Sequence, residues 1–419
     1  MTNQIQKYRR TRNACCFAYL STSPVFILPP LLFVTFREMY GISYTALGSL
    51  VLINFCTQLA IDLIFTFFTK YFNLHKTLKT MPLLVSGGLL IYALVPNCFP
   101  QYAYFGLVLG TIIFSVAAGL GEVLLSPTVA ALPSDDPQRD MAVLHSLYGY
   151  GALASILIST LFFILFGTKN WMYLAIFLAI FPIICSIMFC MAPLPDFNLS
   201  QSKGDRNTKN RVTILALCLA CIFLGSAAEN TITNWISGYV ENALHLSKTA
   251  GDLLGMAIFA ILLAITRTVY SKYGKNIYKM LLVSMAISVV CYALAGIVLN
   301  PIISLVFCVI LGISTSMLWP GTLIYMEEKL PNPGVTAYAL MASGGDFGAS
   351  VAPQAMGIMV DEVAASNWAV KLAETSSLNT EQIGMKVGMV ASAVYPLLGV
   401  ALLLYMGRYF KKRQKDTTT

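Results

Sequence analysis

Charge is what this sequence has least of. Lys, Arg, Asp and Glu together make up 11% of its 419 residues, where a soluble domain carries about 25%. That deficit argues against a chain folded in water behind a polar surface. Histidine occurs only three times, and no set of His, Cys, Asp and Glu stands at metal-ligand spacing. A nucleophile motif and a glycine-rich phosphate loop are missing too. With no catalytic constellation and no extramembrane signalling domain, neither an enzyme nor a receptor is expected, and no cofactor or metal. Acidic residues are absent altogether from Asn13 to Phe36.

What is present is apolar. Hydrophobic residues fill 57% of the chain, grouped in runs near 14–36, 44–68, 78–97, 101–127, 141–166, 170–192, 212–240, 248–271, 277–299, 301–326, 336–360 and 384–409. A bilayer core about 30 Å thick is crossed by about 20 apolar residues in a helix, so these runs predict an all-α membrane protein of twelve transmembrane helices. Most of the 27 Lys and Arg lie at the N-terminus, in every second gap and in the C-terminal tail. The positive-inside rule puts those segments, and both termini, in the cytoplasm. The basic residues are dispersed at helix ends, so the formal charge of +8 points to topology and anionic lipid, and no nucleic-acid partner is expected. The first run follows basic residues as a signal peptide would, but exceeds 20 residues and has no small-residue cleavage site, so it is expected to remain as a span. Ten cysteines are scattered, and the one CxxC, Cys218 and Cys221, falls inside the seventh run, where packing is the expected role. The expected setting is a bacterial inner membrane, the expected state a monomer.

The polar stretch 193–211 divides the spans six and six. It predicts an N-terminal bundle over 1–192, a cytoplasmic linker and a C-terminal bundle over 212–419. The halves repeat weakly at an offset of about 200 residues. Thr69-Lys70-Tyr71 answers Ser271-Lys272-Tyr273, the tetrapeptide at 91–94 answers that at 291–294, Leu132-Pro133 answers Leu330-Pro331, and Gly151-Ala152 answers Gly348-Ala349. Four matches in one order are the mark of a transporter built from repeats. A second polar loop, 366–382, is expected outside.

An ionisable group at bilayer depth costs about 2.5 to 3.5 kcal/mol on insertion scales, so it faces the bundle interior or a water-filled cavity. On the second span Asn54, Gln58 and Asp62 fall at steps of four on one helical face. That stripe is either a cavity wall or an interhelical hydrogen-bond seam, with Asp62 a gating residue toward the cytoplasmic end. The fourth span carries Ser115, Gly119, Glu122 and Ser126 on one face. Glu122 is the leading proton carrier, because a carboxyl withdrawn from water can take up and release a proton in the physiological range. The fifth opens with His145 and Tyr148, a possible proton relay and a ligand contact. In the seventh, Glu229, Asn230, Asn234 and Trp235 combine carboxylate, amides and an aromatic face, as a polyhydroxylated ligand requires. The tenth is expected to break at Pro320 and Gly321, beside Trp319, and unwound backbone at this depth lines cavities. The eleventh presents Asp346, while Glu327 and Lys272 are expected as gate residues at cytoplasmic ends.

The runs "GLGEVLLSPTVAALP", "LHSLYGYGA", "WPGTLIY" and "ASGGDFGASVAPQAMGIMVD" give the chain its resemblance to a known family. It resembles the major facilitator superfamily and, within it, the fucose:proton symporters. The resemblance implies two pseudo-symmetric six-helix bundles, a sugar as solute and Glu122 in the place of that family's proton-coupling glutamate. It departs from the pattern at Ser126-Pro127, where the family has Asn-Pro, and in lacking the acid of the first span. The coupling pair is therefore expected at Glu122 with Glu229 or Asp346. Together these readings predict a proton-coupled symporter of a sugar or similar polar solute. The excess of acids among Asp62, Glu122, Glu229 and Asp346 supplies an alternative, a proton antiporter exporting drugs or organic cations.

Overall fold

The computed structural model describes residues 2–68, 71–135, 137–195, 209–330 and 334–416. Every regular element among them is a helix, the secondary structure that pairs its own backbone groups where no water is available. The first apolar run makes α1 (Thr2–Thr22), α2 (Pro24–Leu31) and α3 (Phe33–Tyr40). Its path bends at Ser23 and Leu32 because Pro24, Pro29 and Pro30 donate no N–H. Gly41 then ends α3 in the left-handed region, with φ +65°, its N–H on the carbonyl of Arg37. The next four runs are α4 (Tyr44–Phe68), α5 (Leu74–Cys98), α6 (Ala103–Ala130) and α7 (Pro137–Phe166), and the sixth is shared by α8 (Trp171–Leu178) and α9 (Ile180–Met191).

After the linker, most of which lies outside the described residues, comes α10 (Lys209–Gly238). α11 (Lys248–Ala250) then leads through the wider-wound turns Gly251–Ala257 into α12 (Ile258–Tyr273). There follow α13 (Ile277–Ile297), α14 (Pro301–Ser314), α15 (Leu318–Lys329), α16 (Gly334–Ala364), α17 (Asn367–Thr375), α18 (Thr380–Ser392) and α19 (Val394–Asp416). Eleven stretches of the described residues are long and apolar enough to cross a membrane. α16 adds 31 residues, about 46 Å of helix at 1.5 Å per residue. Leu157, Leu161, Ile164 and Leu165 on α7 and Val283, Ile287 and Val290 on α13 are exposed, a surface suited to lipid and not to water.

Packing divides the chain into two units, Met1–Ile42 with Ile53–Ser200, and Ser43–Leu52 with Gln201–Thr419. In the first, α5 lies along α6 and α9, and α1 along α7 and α9. Phe36, Tyr92, Phe114 and Trp171 form its aromatic centre, with Phe36 and Trp171 edge to face at 4.9 Å. In the second, α10 lies along α15, α16 and α19, and α13 along α14, α18 and α19. Tyr292 donates its hydroxyl to the carbonyl of Ala228, and Tyr239 donates to that of Ala295.

The repeat read from the sequence has physical counterparts. α5 and α13 are each capped by an asparagine, the side chain of Asn73 accepting from the Lys76 N–H and that of Asn276 from the Lys279 N–H. Gly151 of α7 faces Leu20 and Ser23 at the end of α1, and Gly348 of α16 faces Phe223 and Ala227 of α10. A Cβ at Gly348 would strike the Phe223 carbonyl, and one at Gly151 would strike the Ser23 side chain and crowd the Leu20 Cα, so the glycine is what lets the helices meet.

One expectation is revised. The break in the tenth run falls at 315–317, between α14 and α15, rather than at Pro320 and Gly321. Proline is tolerated within the first turn of a helix, whose N–H groups have no intrahelical partner, so the chain unwinds upstream of Pro320. The polar loop 366–382 contains α17, whose Ala369 packs with Val363 and Ile383.

Candidate functional site

In the first unit the polar stripe of α4 meets the polar face of α6. Gln58 Nε2 donates to Asn54 Oδ1 at 2.9 Å, and Ser115 Oγ donates to the same oxygen at 2.6 Å. All three side chains are buried, so this part of the stripe forms a hydrogen-bonded seam between the two helices. Gly119, one turn further along α6, brings its backbone against Gln58 and Ile61. Beyond that close approach the stripe opens. Asp62 is half-buried and Glu122 exposed, and their carboxylate oxygens lie within 4.8 Å of each other. The hydroxyls of Tyr19, on α1, and Ser126 are hydrogen-bonded beside Glu122.

The second unit places its carboxylate differently. Glu229 Oε1 on α10 accepts from Arg267 Nη2 on α12 at 2.8 Å, while Arg267 Nε donates to the carbonyl of Ser316 at 2.8 Å. Ser316 lies in the break between α14 and α15. In a continuous helix its carbonyl would accept from the N–H of residue 320, and Pro320 has none. The guanidinium takes that vacant acceptor, which ties α10 and α12 to the broken helix.

The other expected site residues are spread over both units. Asn230 donates its amide to Ser226, and Asn234 donates to the carbonyl of Asn230, with Asn230 half-buried and Asn234 buried. Trp235 is fully buried, its indole N–H on the Pro353 carbonyl at 3.1 Å and its ring 5.7 Å from that of Tyr44. Trp319 is half-buried with its indole against Gly345, and Asp346 beside it in sequence is also half-buried. Tyr148 is 37% exposed and stands edge to face with Phe26 at 5.7 Å. Glu327 is exposed near the end of α15. The side chains of His145 and Lys272 lie outside the described residues. Asp62 and Glu122 are thus brought together, whereas Glu229 is joined to a base.

That base was not singled out in the sequence. Arg267 falls near the end of the eighth run and reads there as one more cytoplasmic charge. The rule that draws attention to Glu229, an ionisable group inside a span, applies to it equally. The same holds for Lys386, a buried residue of α18 whose Nζ donates to the carbonyl of Val298 at the end of α13, at 2.9 Å. Counting these two weakens the excess of acids within the spans.

A family model described as the Major Facilitator Superfamily matches residues 14–353. Among solved structures, a bacterial homologue of the human lysosomal transporter Spinster, inward-facing and unoccupied, is 12% identical with a TM-score of 0.72, over 96% of this chain and 98% of that one. The D-xylose-proton symporter is 13% identical with a TM-score of 0.70, over 92% and 96%. The nucleoside transporter NupG is 14% identical with a TM-score of 0.67, over 94% and 98%. At such identities the likeness is one of fold. No curated protein sequence matches the chain.

Proposed function

The chain belongs to the Major Facilitator Superfamily, and from that premise we propose that it is a proton-coupled symporter of a sugar or similar polar organic solute. As a multi-pass membrane protein it would work by alternating access, in a bacterial inner membrane with both termini in the cytoplasm. The observation that carries this reading is the Asp62–Glu122 pair, two carboxyl groups within 4.8 Å of each other, beside the Tyr19 and Ser126 hydroxyls. A proton held there when the pair faces one side is released when it faces the other, and its movement down a gradient drives the solute. Asn230, Trp319 and Tyr148 are the half-exposed side chains that suit hydroxyl and ring contacts. Buried Asn54 and Gln58 in the first unit, and Asn234 and Trp235 in the second, belong to the reading as supports for the polar side chains of their own unit. His145 is proposed as a proton relay, and Glu229 and Asp346 as coupling acids. Asp62, Glu327 and Lys272 are proposed in gating. The similarity of fold to the D-xylose-proton symporter supports a sugar-sized solute.

The test is uptake by the purified protein in proteoliposomes under an inward proton gradient. Glu122→Gln is expected to abolish accumulation against a concentration gradient while leaving exchange of solute for solute. Unchanged uphill uptake would remove Glu122 from the mechanism. A second reading, export of organic cations by antiport, draws on the same paired carboxylates. Thermal stabilisation by lipophilic cations, with none by neutral or acidic solutes, would favour it over the first.

A further inference from the structure

Arg267 carries a permanent charge within an apolar span, and its side chain is 39% exposed. The lipid-suited face of α12 is marked by Ile261, Ile265 and Val269, all exposed. At 100° per residue Arg267 stands on the opposite side of the helix from that stripe. A part-exposed arginine side chain near the end of this span, turned from the apolar face, opens to water or to a ligand.

Of the five N–H groups on a guanidinium, one reaches the Ser316 carbonyl and one the Glu229 carboxylate. Among the described residues no other acceptor takes the remaining three, which are spread over both terminal nitrogens. The second oxygen of Glu229 is buried without a hydrogen-bond partner. The guanidinium is thus fixed by two acceptors on different helices, with donors left over in a fixed plane. That is a preorganised fork for a carboxylate.

We propose that the transported solute carries a carboxylate and that Arg267 binds it. This rests on the carrier reading above and narrows its substrate to organic acids of single charge. With Glu229 already beside it, Arg267 has only part of its charge to offer, and a doubly charged group would leave the site more strongly negative. Asn230, next to Glu229 on α10, and Trp319, three residues beyond Ser316, supply an amide and a ring face to the rest of the molecule. A hydroxylated monocarboxylate such as a sugar acid fits that set. Glu229 is the internal rival of the solute for the charge of the same guanidinium, so the two halves of the pair should act in opposite directions on binding.

The experiment is thermal unfolding of the purified full-length protein with D-glucuronate, D-gluconate, L-lactate and pyruvate, set against D-glucose, glycerol and tetraphenylphosphonium. At least one carboxylate is expected to stabilise the wild type where its neutral counterpart does not. Its affinity should fall at least about tenfold in Arg267→Gln, an effect of the size of one lost charged fork, and rise in Glu229→Gln. Arg267→Lys, which keeps the charge and loses the plane, should weaken binding several-fold and serves where the Gln variant does not reach the membrane. The proposal is overturned if no carboxylate stabilises the protein, or if the Arg267 variants bind it as the wild type does. It also fails if Glu229→Gln weakens binding alongside Arg267→Gln, the mark of a merely structural ion pair. Uptake by the same variants separates this from the carrier reading. Neutral-sugar flux that survives Arg267→Gln overturns the acid and leaves the carrier, whereas Arg267-dependent carboxylate binding without flux of any solute overturns the carrier and leaves the site.

Discussion

At Ser316 a single missing hydrogen atom sets the local structure. Pro320 withholds the N–H that this carbonyl would accept in a helix, and Arg267 Nε supplies a donor from another helix instead. Pro320→Ala restores the intrahelical donor and puts it in competition with the guanidinium. Amide exchange around 318–322 is expected to slow several-fold in that variant, as α15 gains a turn at its start; hydrogen–deuterium exchange with mass spectrometry measures it, and unchanged protection would show that Pro320 does not set the break. The residue scale is also where reading the sequence stopped short. Asn54, Gln58 and Ser115 are legible as polar side chains that must face protein, yet only coordinates distinguish a seam from a cavity wall. Periodicity assigns a face to a helix but not the helix that covers it.

Between elements, closeness of approach is decided by a few small residues. Gly151 lets α7 meet the end of α1, and Gly348 lets α16 meet α10. A Cβ added at Gly149, two residues before Gly151, would meet nothing within 4 Å, so the two positions make a controlled pair. Gly151→Val is expected to lose about 1 to 3 kcal/mol through overpacking. Gly149→Ala should be neutral, or gain up to about 1 kcal/mol of helix propensity. Thermal unfolding in detergent compares them, and equal loss in both would mean that the contact with α1 does not limit stability. The repeat in the sequence shows up at this scale too, as matched glycines and matched asparagine caps. The caps at Asn73 and Asn276 were legible only as polar residues before apolar runs, because a cap is identified by which N–H the side chain accepts from.

For the whole molecule the distribution of charge predicts an orientation that labelling can test. Cys98, at the end of α5, and Cys190, near the end of α9, are both exposed and fall at opposite ends of the predicted topology. With the other cysteines replaced by serine, a membrane-impermeant maleimide is expected to modify Cys98 in intact cells. Cys190 should react only after permeabilisation. The reverse pattern would invert the topology and, with it, the side from which the Asp62–Glu122 pair is proposed to take its proton.

Composition, the length of the apolar runs and the placement of Lys and Arg were enough to determine a helical membrane protein of twelve crossings in repeated halves. Each of those properties is local, since a helix in lipid must satisfy its own backbone and bury no water. Partners are not local. That Asp62 stands beside Glu122, that Glu229 is answered by Arg267, and that the tenth run unwinds before its proline were decided only when distant helices came together. The electrostatic worth of a charge depends on what lies within a few ångströms of it, and the sequence does not state that distance.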